Sequence, residues 1–356
     1  MKKALLWAAA LCLFLFVSFS ALSETWGPIR TADAFFTALS RAKAKDTLLF
    51  SGDIDCSSIP LTRCNFKFAS ASTHYAVLRN LSLSDSSLQL ERIRVEGSLA
   101  VSGSSEIELR NQVSVRGSGE TCGLSFEGNG MLMIGPNCSI TGGMGSPGIR
   151  IAHTQGDFYA SIEGNIRGGD GETGGTALLI TSLCEQGTVF LSGSLTGGRG
   201  ISLGGNALCL YDLSGGAFVT VEGNMQGGDG RIAGDGIQVV SAKDYSFVHV
   251  NGASSGGMGE SHGGNALMIV RISGSSSVIV AGRLSGGDVL KADGIGGHSL
   301  LIADDASIGH TVIRDCMLED GGYSPQPIIP RYPSITSSVS RTFPLPETPQ
   351  PPDTAK

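Results

Sequence analysis

The chain has 356 residues, with 25 Lys and Arg against 32 Asp and Glu and a net charge of −7. With no basic run and no arginine–aromatic interleaving, that balance argues against a nucleic-acid partner, and the plentiful aliphatic residues exclude a disordered chain. Glycine is the outlier at 52 residues, roughly twice the usual share of about 7%, which suits short strands joined by tight turns.

Residues 1–23 read as a secretory signal peptide: Lys2-Lys3, an apolar run over 4–17, and Ala21-Leu22-Ser23 as a small-x-small cleavage site before Glu24. The competing reading, an uncleaved anchor, is disfavoured because the run is short for a membrane span. Cys12 makes no lipobox, since Leu11 stands where a small residue is needed. Removing Lys2 and Lys3 with the signal leaves 23 basic against 32 acidic residues, a net of −9. The expected location is secreted or cell-surface, with no transmembrane segment after signal removal. Seven cysteines remain, none in a C-x-x-C pair, so zinc is not expected. Cys56 and Cys64 are close enough in sequence for a small disulfide loop, and Cys209, between Leu208 and Leu210, reads as a packed apolar side chain.

Residues 24–66 are expected to form an N-terminal capping helix and a first strand. Thr31 is a credible N-cap, Asp33 favours the positive helix end, and Arg41 and Lys43 favour the other. Phe35, Phe36, Leu39 and Ala42 are predicted to share one apolar face. A strand follows at Asp46-Thr-Leu-Leu-Phe. One apolar stripe placed just before a β-stack is suited to covering the open end of that stack.

Residues 67–322 read as a repeat domain. Apolar residues alternate with period two from Leu81 through Ile93-x-Val95-x-Gly97 to Val113-x-Val115-x-Gly117, which means strands with one buried face. Gly-Gly pairs then begin at Gly142, Gly168, Gly197, Gly227, Gly256 and Gly286, in steps of 26, 29, 30, 29 and 30 residues. Six residues before five of these pairs stand Ile162, Leu191, Val221, Val250 and Val280, expected to stack inside a cylinder. Gly164, Gly193, Gly223, Gly252 and Gly282 follow two places later; they are expected to permit a sharp corner, in one column with Gly97, Gly117 and Cys138. Such a fixed period marks units that bury their apolar faces only by stacking. Residues 323–356 differ abruptly: nine of thirteen prolines lie between Pro325 and Pro352, which predicts a disordered or polyproline-like tail. Within it Leu345-Pro-Glu-Thr-Pro349 looks like a sortase signal with proline in the glycine place, and reads as spacer.

The prediction is therefore an all-β parallel β-helix, a β-solenoid whose coils grow from about 20 to 30 residues. With its helix-then-strand opening from Ala32 to Phe50, the pattern resembles the right-handed parallel β-helix, pectin-lyase-like superfamily; handedness follows from the resemblance alone. Hydrolases of that superfamily carry N-T-D, D-D, G-H-G and R-I-K motifs in order. Here Asp304-Asp305 is followed four residues later by Gly309-His310, and N-T-D and R-I-K are missing, so no catalytic residue is assigned.

The Gly-Gly loops admit three chemistries. Calcium rolls need tandem nine-residue copies, whereas Thr173 and Ile232 occupy the required Asp place here. Phosphate loops need a following helix, which is missing. The third reading is structural: Asp170, Arg199, Asp229, Met258 and Asp288 share one place in successive coils, so that Arg199 would lie between two carboxylates. Asp170, Arg199, Asp229 and Asp288 also form the candidate ligand-binding stripe, with carbohydrate or a surface protein as the expected partner. The six histidines are scattered without metal spacing, His249 is expected to point outward, and no metal or cofactor is expected. The expected role is structural or adhesive, with a polysaccharide lyase or glycosidase as the alternative.

Overall fold

The computed structural model describes residues 23–152, 156–303, 311–313 and 316–322; the expected signal peptide and proline-rich tail lie outside them. Nearly every element is a short strand, and the main parallel sheet winds about 349° round an axis, which makes the fold a β-solenoid. Each coil has three faces. The first runs from Thr47–Phe50 and Asn65–Ser70 through Phe158–Ile162, Thr188–Leu191 and Phe218–Val221 to Ser277–Val280. The second includes Asn165–Arg167, Ser194–Thr196 and Asn224–Gln226, and the third Leu178–Ile180, Leu208–Leu210 and Ile237–Val239.

Register gives the coil lengths directly. On the first face Thr47, Lys67, Gln89 and Glu108 are successive partners, so early coils take 20, 22 and 19 residues. Met133, Ser161, Phe190, Thr220, His249 and Ile279 continue the column in steps of 25, 28, 29, 30, 29 and 30 residues from Glu108. The expected growth is therefore present. All of it is inserted between the second and third faces, where the Gly-Gly pairs stand.

Alternation places Ile162, Leu191, Val221, Val250 and Val280 in one inward column, each at most 1% exposed. Every such side chain contributes about 1.5–3 kcal/mol on burial. A strand that the sequence reading missed, Thr25–Ile29, precedes the helix and pairs in parallel with Thr47–Phe50. Helix α1 (Ala32–Arg41) then closes the N-terminal end, its first turn capped by the Thr31 hydroxyl, which accepts from Ala34 N at 3.2 Å. Phe35 enters the core with its ring centroid 5.1 Å from Phe50 and 5.5 Å from Phe68. Phe36, expected on the same face, is 66% exposed: one residue is about 100° of helix rotation, too far for both rings to enter a narrow cylinder. Buried Asp46 fastens this cap by accepting from Glu24 N, Lys43 N and the Trp26 indole, and those backbone bonds hold its carboxyl below the usual range.

Two expectations about columns need correction. Register aligns Gly97 and Gly117 with Gly142 and so with the first glycine of each pair, whereas Cys138 aligns with Gly164. Nor is the Gly223 column a set of left-handed corners; its constraint is close approach. A Cβ on Gly223 would lie 1.8 Å from the Gly193 carbonyl oxygen of the coil beneath.

The Gly-Gly segments are more than loops. Gly171–Thr173, Gly200–Leu203, Gly230–Ile232 and Gly259–His262 pair as a separate four-stranded parallel sheet, a fin projecting from the solenoid. At its neck the outgoing and returning strands touch backbone to backbone. Gly175 N donates to Gly169 O, Gly198 N to Gly175 O, Gly205 N to Gly198 O and Gly228 N to Gly205 O, at 2.7–2.9 Å. The same alternation continues through Gly234, Gly257, Gly264, Gly287 and Gly297 to Gly321. This zipper leaves no room for side chains: a Cβ on Gly198 would stand 2.1 Å from Gly169 O.

Gly198→Ala and Gly223→Val are each expected to destabilise the protein by about 2–4 kcal/mol, since the blocking atom is backbone of the neighbouring coil and cannot swing away. Thermal unfolding checks this; wild-type melting of both variants would refute the close-approach account.

Candidate functional site

The glycine column at the fin neck has a consequence for the surface. With no side chains of its own, the row from Gly97 and Gly117 to Gly142 and Gly168 floors a groove of about 660 Å³. Its walls come from the last residues of second-face strands and from the fin: Arg79, Glu96, Arg116, Arg167 and Asp170. A second stretch of about 460 Å³ continues it past Arg199 and Asp229. Most of these charges are already engaged. Arg79 bonds Asp53 with Nε at 2.8 Å and reaches Glu96 at 2.9 Å, and this hydrogen bonding holds the Asp53 carboxyl below its ordinary range and raises the guanidinium. Arg167 Nη2 lies 2.9 Å from both oxygens of Asp170. Arg116 is exposed on the groove wall.

The predicted stripe is brought together in register, and the fold uses it for stacking. The Asp170 carboxylate accepts from Arg199 N of the next coil at 2.7 Å, Asp229 accepts from Met258 N at 3.0 Å, and Asp288 from Gly322 N at 2.7 Å. Each aspartate thus holds a backbone donor that the fin strands leave unpaired at their start. The Arg199 side chain turns to Asp229, with Nε 3.4 Å from Oδ2, so it stands between the two carboxylates as its place in the repeat predicts. These pairs are solvated, and each contributes about 0.2–1 kcal/mol.

A parallel device on the returning side escaped the sequence reading. Asn206 accepts from Asp235 N, Asp235 from Asn265 N and Asn265 from His298 N, at 2.7–3.0 Å. Its signal was the polar residue after each returning glycine: Gly205-Asn206, Gly234-Asp235 and Gly264-Asn265. Asp235 is the charged member of an amide ladder, and burial pushes its pKa up although Asn265 donates to it twice.

The other chemistry-bearing residues do not converge. Among the described residues no group of three or more His, Cys, Asp or Glu is placed to hold a metal ion. His262 Nδ1 lies 3.0 Å from Ser261 Oγ, and His249 faces outward, partly exposed against Phe247. Asp304, Asp305, His310 and His153 fall outside the described residues. Cys56 and Cys64 do not form the expected disulfide; both are free thiols. Cys56 Sγ is buried against Ile54 O at 3.7 Å while Cys64 Sγ turns to Ser86 Oγ at 3.5 Å, and burial pushes the Cys56 thiol up to about 12. Cys209 is buried with its pKa raised to about 11, as a packed side chain should be.

Asp235→Asn tests the ladder. A raised folded-state pKa means that Asp235 favours folding when protonated, so its contribution is fully present below the ordinary carboxylate range and is lost as pH rises through the folded value. The amide imitates the protonated acid and keeps the accepting oxygen. Melting is expected to rise by roughly 2 °C at neutral pH and to be unchanged in acid; equal melting of the two proteins at neutral pH would contradict the ladder.

Comparison of the chain with protein-family models, with curated proteins and with solved structures finds no match in any of the three.

Proposed function

We infer that the protein is an extracytoplasmic β-solenoid with a structural and adhesive role, its partner a carbohydrate or a surface protein. The observation that carries this reading is the fin. It holds Leu203, Ile232, His262 and Ile295 in one register column and leaves Ile201 75%, Leu203 43%, Leu290 70% and Ile295 46% exposed. Apolar side chains repeated along an exposed ridge, above a neck of rigid backbone, are a contact surface more than a reaction site. The signal-like residues 1–23 support secretion or surface display, and the helix-capped parallel coils support kinship with the pectin-lyase-like β-helices. No helix among the described residues is long and apolar enough to cross a membrane.

The groove favours a second reading, a carbohydrate-active β-helix enzyme. Arg79, Arg116 and Arg167 lie along one channel with Glu96 and Asp170 across several coils. Guanidinium groups so placed suit the carboxylates of an acidic polysaccharide. The net charge of −9 expected after signal removal opposes capture of such a polyanion at long range.

A single screen separates the two. Residues 24–356 are offered to a panel of neutral and acidic polysaccharides and to surface proteins, with and without calcium, with retention and released sugar both measured. Retention without release is expected. Sugar release that Arg116→Ala abolishes would replace the adhesive reading with the enzymatic one.

A further inference from the structure

We propose that the outer side of the first face is a binding strip for an extended, uncharged glycan chain lying along the solenoid axis. This deepens the adhesive reading and rests on it, but uses a surface distinct from the fin and the groove.

Inward positions of the first face are aliphatic throughout. Outward positions divide sharply along the axis. In the first four coils they are polar or charged: Thr47, Lys67, Gln89 and Glu108 form one column, and Asn65, Ser87 and Glu106 the other. From Met131 and Met133 onward the same two columns turn apolar and aromatic. Tyr159, Phe190, Phe218 and Phe247 supply one ring in each of four consecutive coils. Successive ring centroids lie 5.9, 6.1 and 5.2 Å apart, and the last pair is stacked at 4°. Between the rings stand hydroxyls, Ser161 and Thr188 before Phe218 and Ser277 after Phe247. From the Met131 coil to the Ile279 coil neither column contains Asp, Glu, Lys or Arg.

Stacking of the coils does not require these rings. The early coils build the same face with polar outward residues, and the core beneath is equally buried in both halves. All four rings remain partly exposed. An aromatic face attracts the C–H side of a pyranose through its negative quadrupole and by dispersion, and neighbouring hydroxyls bond the sugar's equatorial groups. One ring per coil gives a repeat comparable to one sugar unit of an extended chain. The lack of charge selects against uronic acid and sulfated chains, which the arginine groove would suit better.

Dimensions argue against a second protein as the occupant. Four-residue strands are about 13 Å wide, and six coils are about 24 Å long between the outermost strands, so the strip covers on the order of 300 Å². A stable protein interface needs about 800 Å² from each partner. A narrow, linear ligand fits where a globular one does not.

The test uses the full-length protein in affinity electrophoresis through gels containing neutral β-glucan, xylan or mannan, with polygalacturonate and alginate as acidic counterparts. Wild type is expected to be retarded by at least one neutral glycan. Phe218→Leu/Phe247→Leu keeps apolar bulk but removes the rings; it should weaken retardation about tenfold, the effect of losing roughly 1.4 kcal/mol of stacking. Phe218→Tyr/Phe247→Tyr should preserve it. Melting of the leucine variant within a few degrees of wild type confirms that the fold survives, and a Phe190→Trp reporter should change its emission on adding the retarding glycan. Retardation unchanged in the leucine variant would overturn the strip while leaving the adhesive reading intact. Retardation by acidic glycans alone, or by none, would also overturn it, whereas sugar release would overturn the adhesive reading.

Discussion

The structure depends on backbone stacked directly on backbone at the fin neck. There the outgoing and returning strands of one coil meet those of the next, and a single relay of N–H···O=C bonds passes from Gly169 to Gly321. Every internal member donates and accepts once, and all the bonds point the same way, so their dipoles align and reinforce one another. The geometry tolerates no Cβ, as the contacts at Gly198 and Gly223 show. Glycine enrichment in this chain is therefore mainly a steric requirement of close approach, and only secondarily one of turn conformation.

In-register stacking also governs the polar residues. A coil that adds a fin exposes backbone donors where the strands begin and end, and side-chain oxygens of the coil beneath accept from them. Asp170, Asp229 and Asp288 do this on the outgoing side, and Asn206, Asp235 and Asn265 on the returning side. Carboxylates are tolerated where they are solvated or interleaved with arginine. Asp235 shows the limit, because burial opposes its charge. Asp46 is the opposite case: three converging donors at the cap make its ionised form the stable one.

A solenoid fixes its inward columns and leaves its outward ones free, so function is carried by surfaces that the core does not prescribe. This chain presents three such surfaces. The groove is cationic along its arginine wall, the fin ridge is aliphatic, and the outer first face passes from charged to aromatic along the axis. A repeated small unit gives each surface a linear form, suited to extended partners.

Much of the architecture was legible in the sequence because both relevant periods are local. Alternation by two separates inward from outward residues, and the spacing of the Gly-Gly pairs counts the coils, so the column from Ile162 to Val280 and the Thr31 cap could be read directly. The stripe of Asp170, Arg199, Asp229 and Asp288 was legible as a column, since register follows from equal spacing. Other features depend on which segments meet in space. Phe36 turned outward because the cylinder admits one ring at its end. Gly97 and Gly117 joined the Gly142 column rather than that of Cys138, because coil length changes between them and register cannot be counted across the change. The fin sheet and its glycine zipper, the Asn206–Asp235–Asn265 ladder and the aromatic strip all arise from contacts between residues about thirty apart. The sequence by itself determined a repeating solenoid and its period. Only the tertiary structure decided what faces what, because lateral hydrogen bonds and side-chain contacts form between coils and not within them.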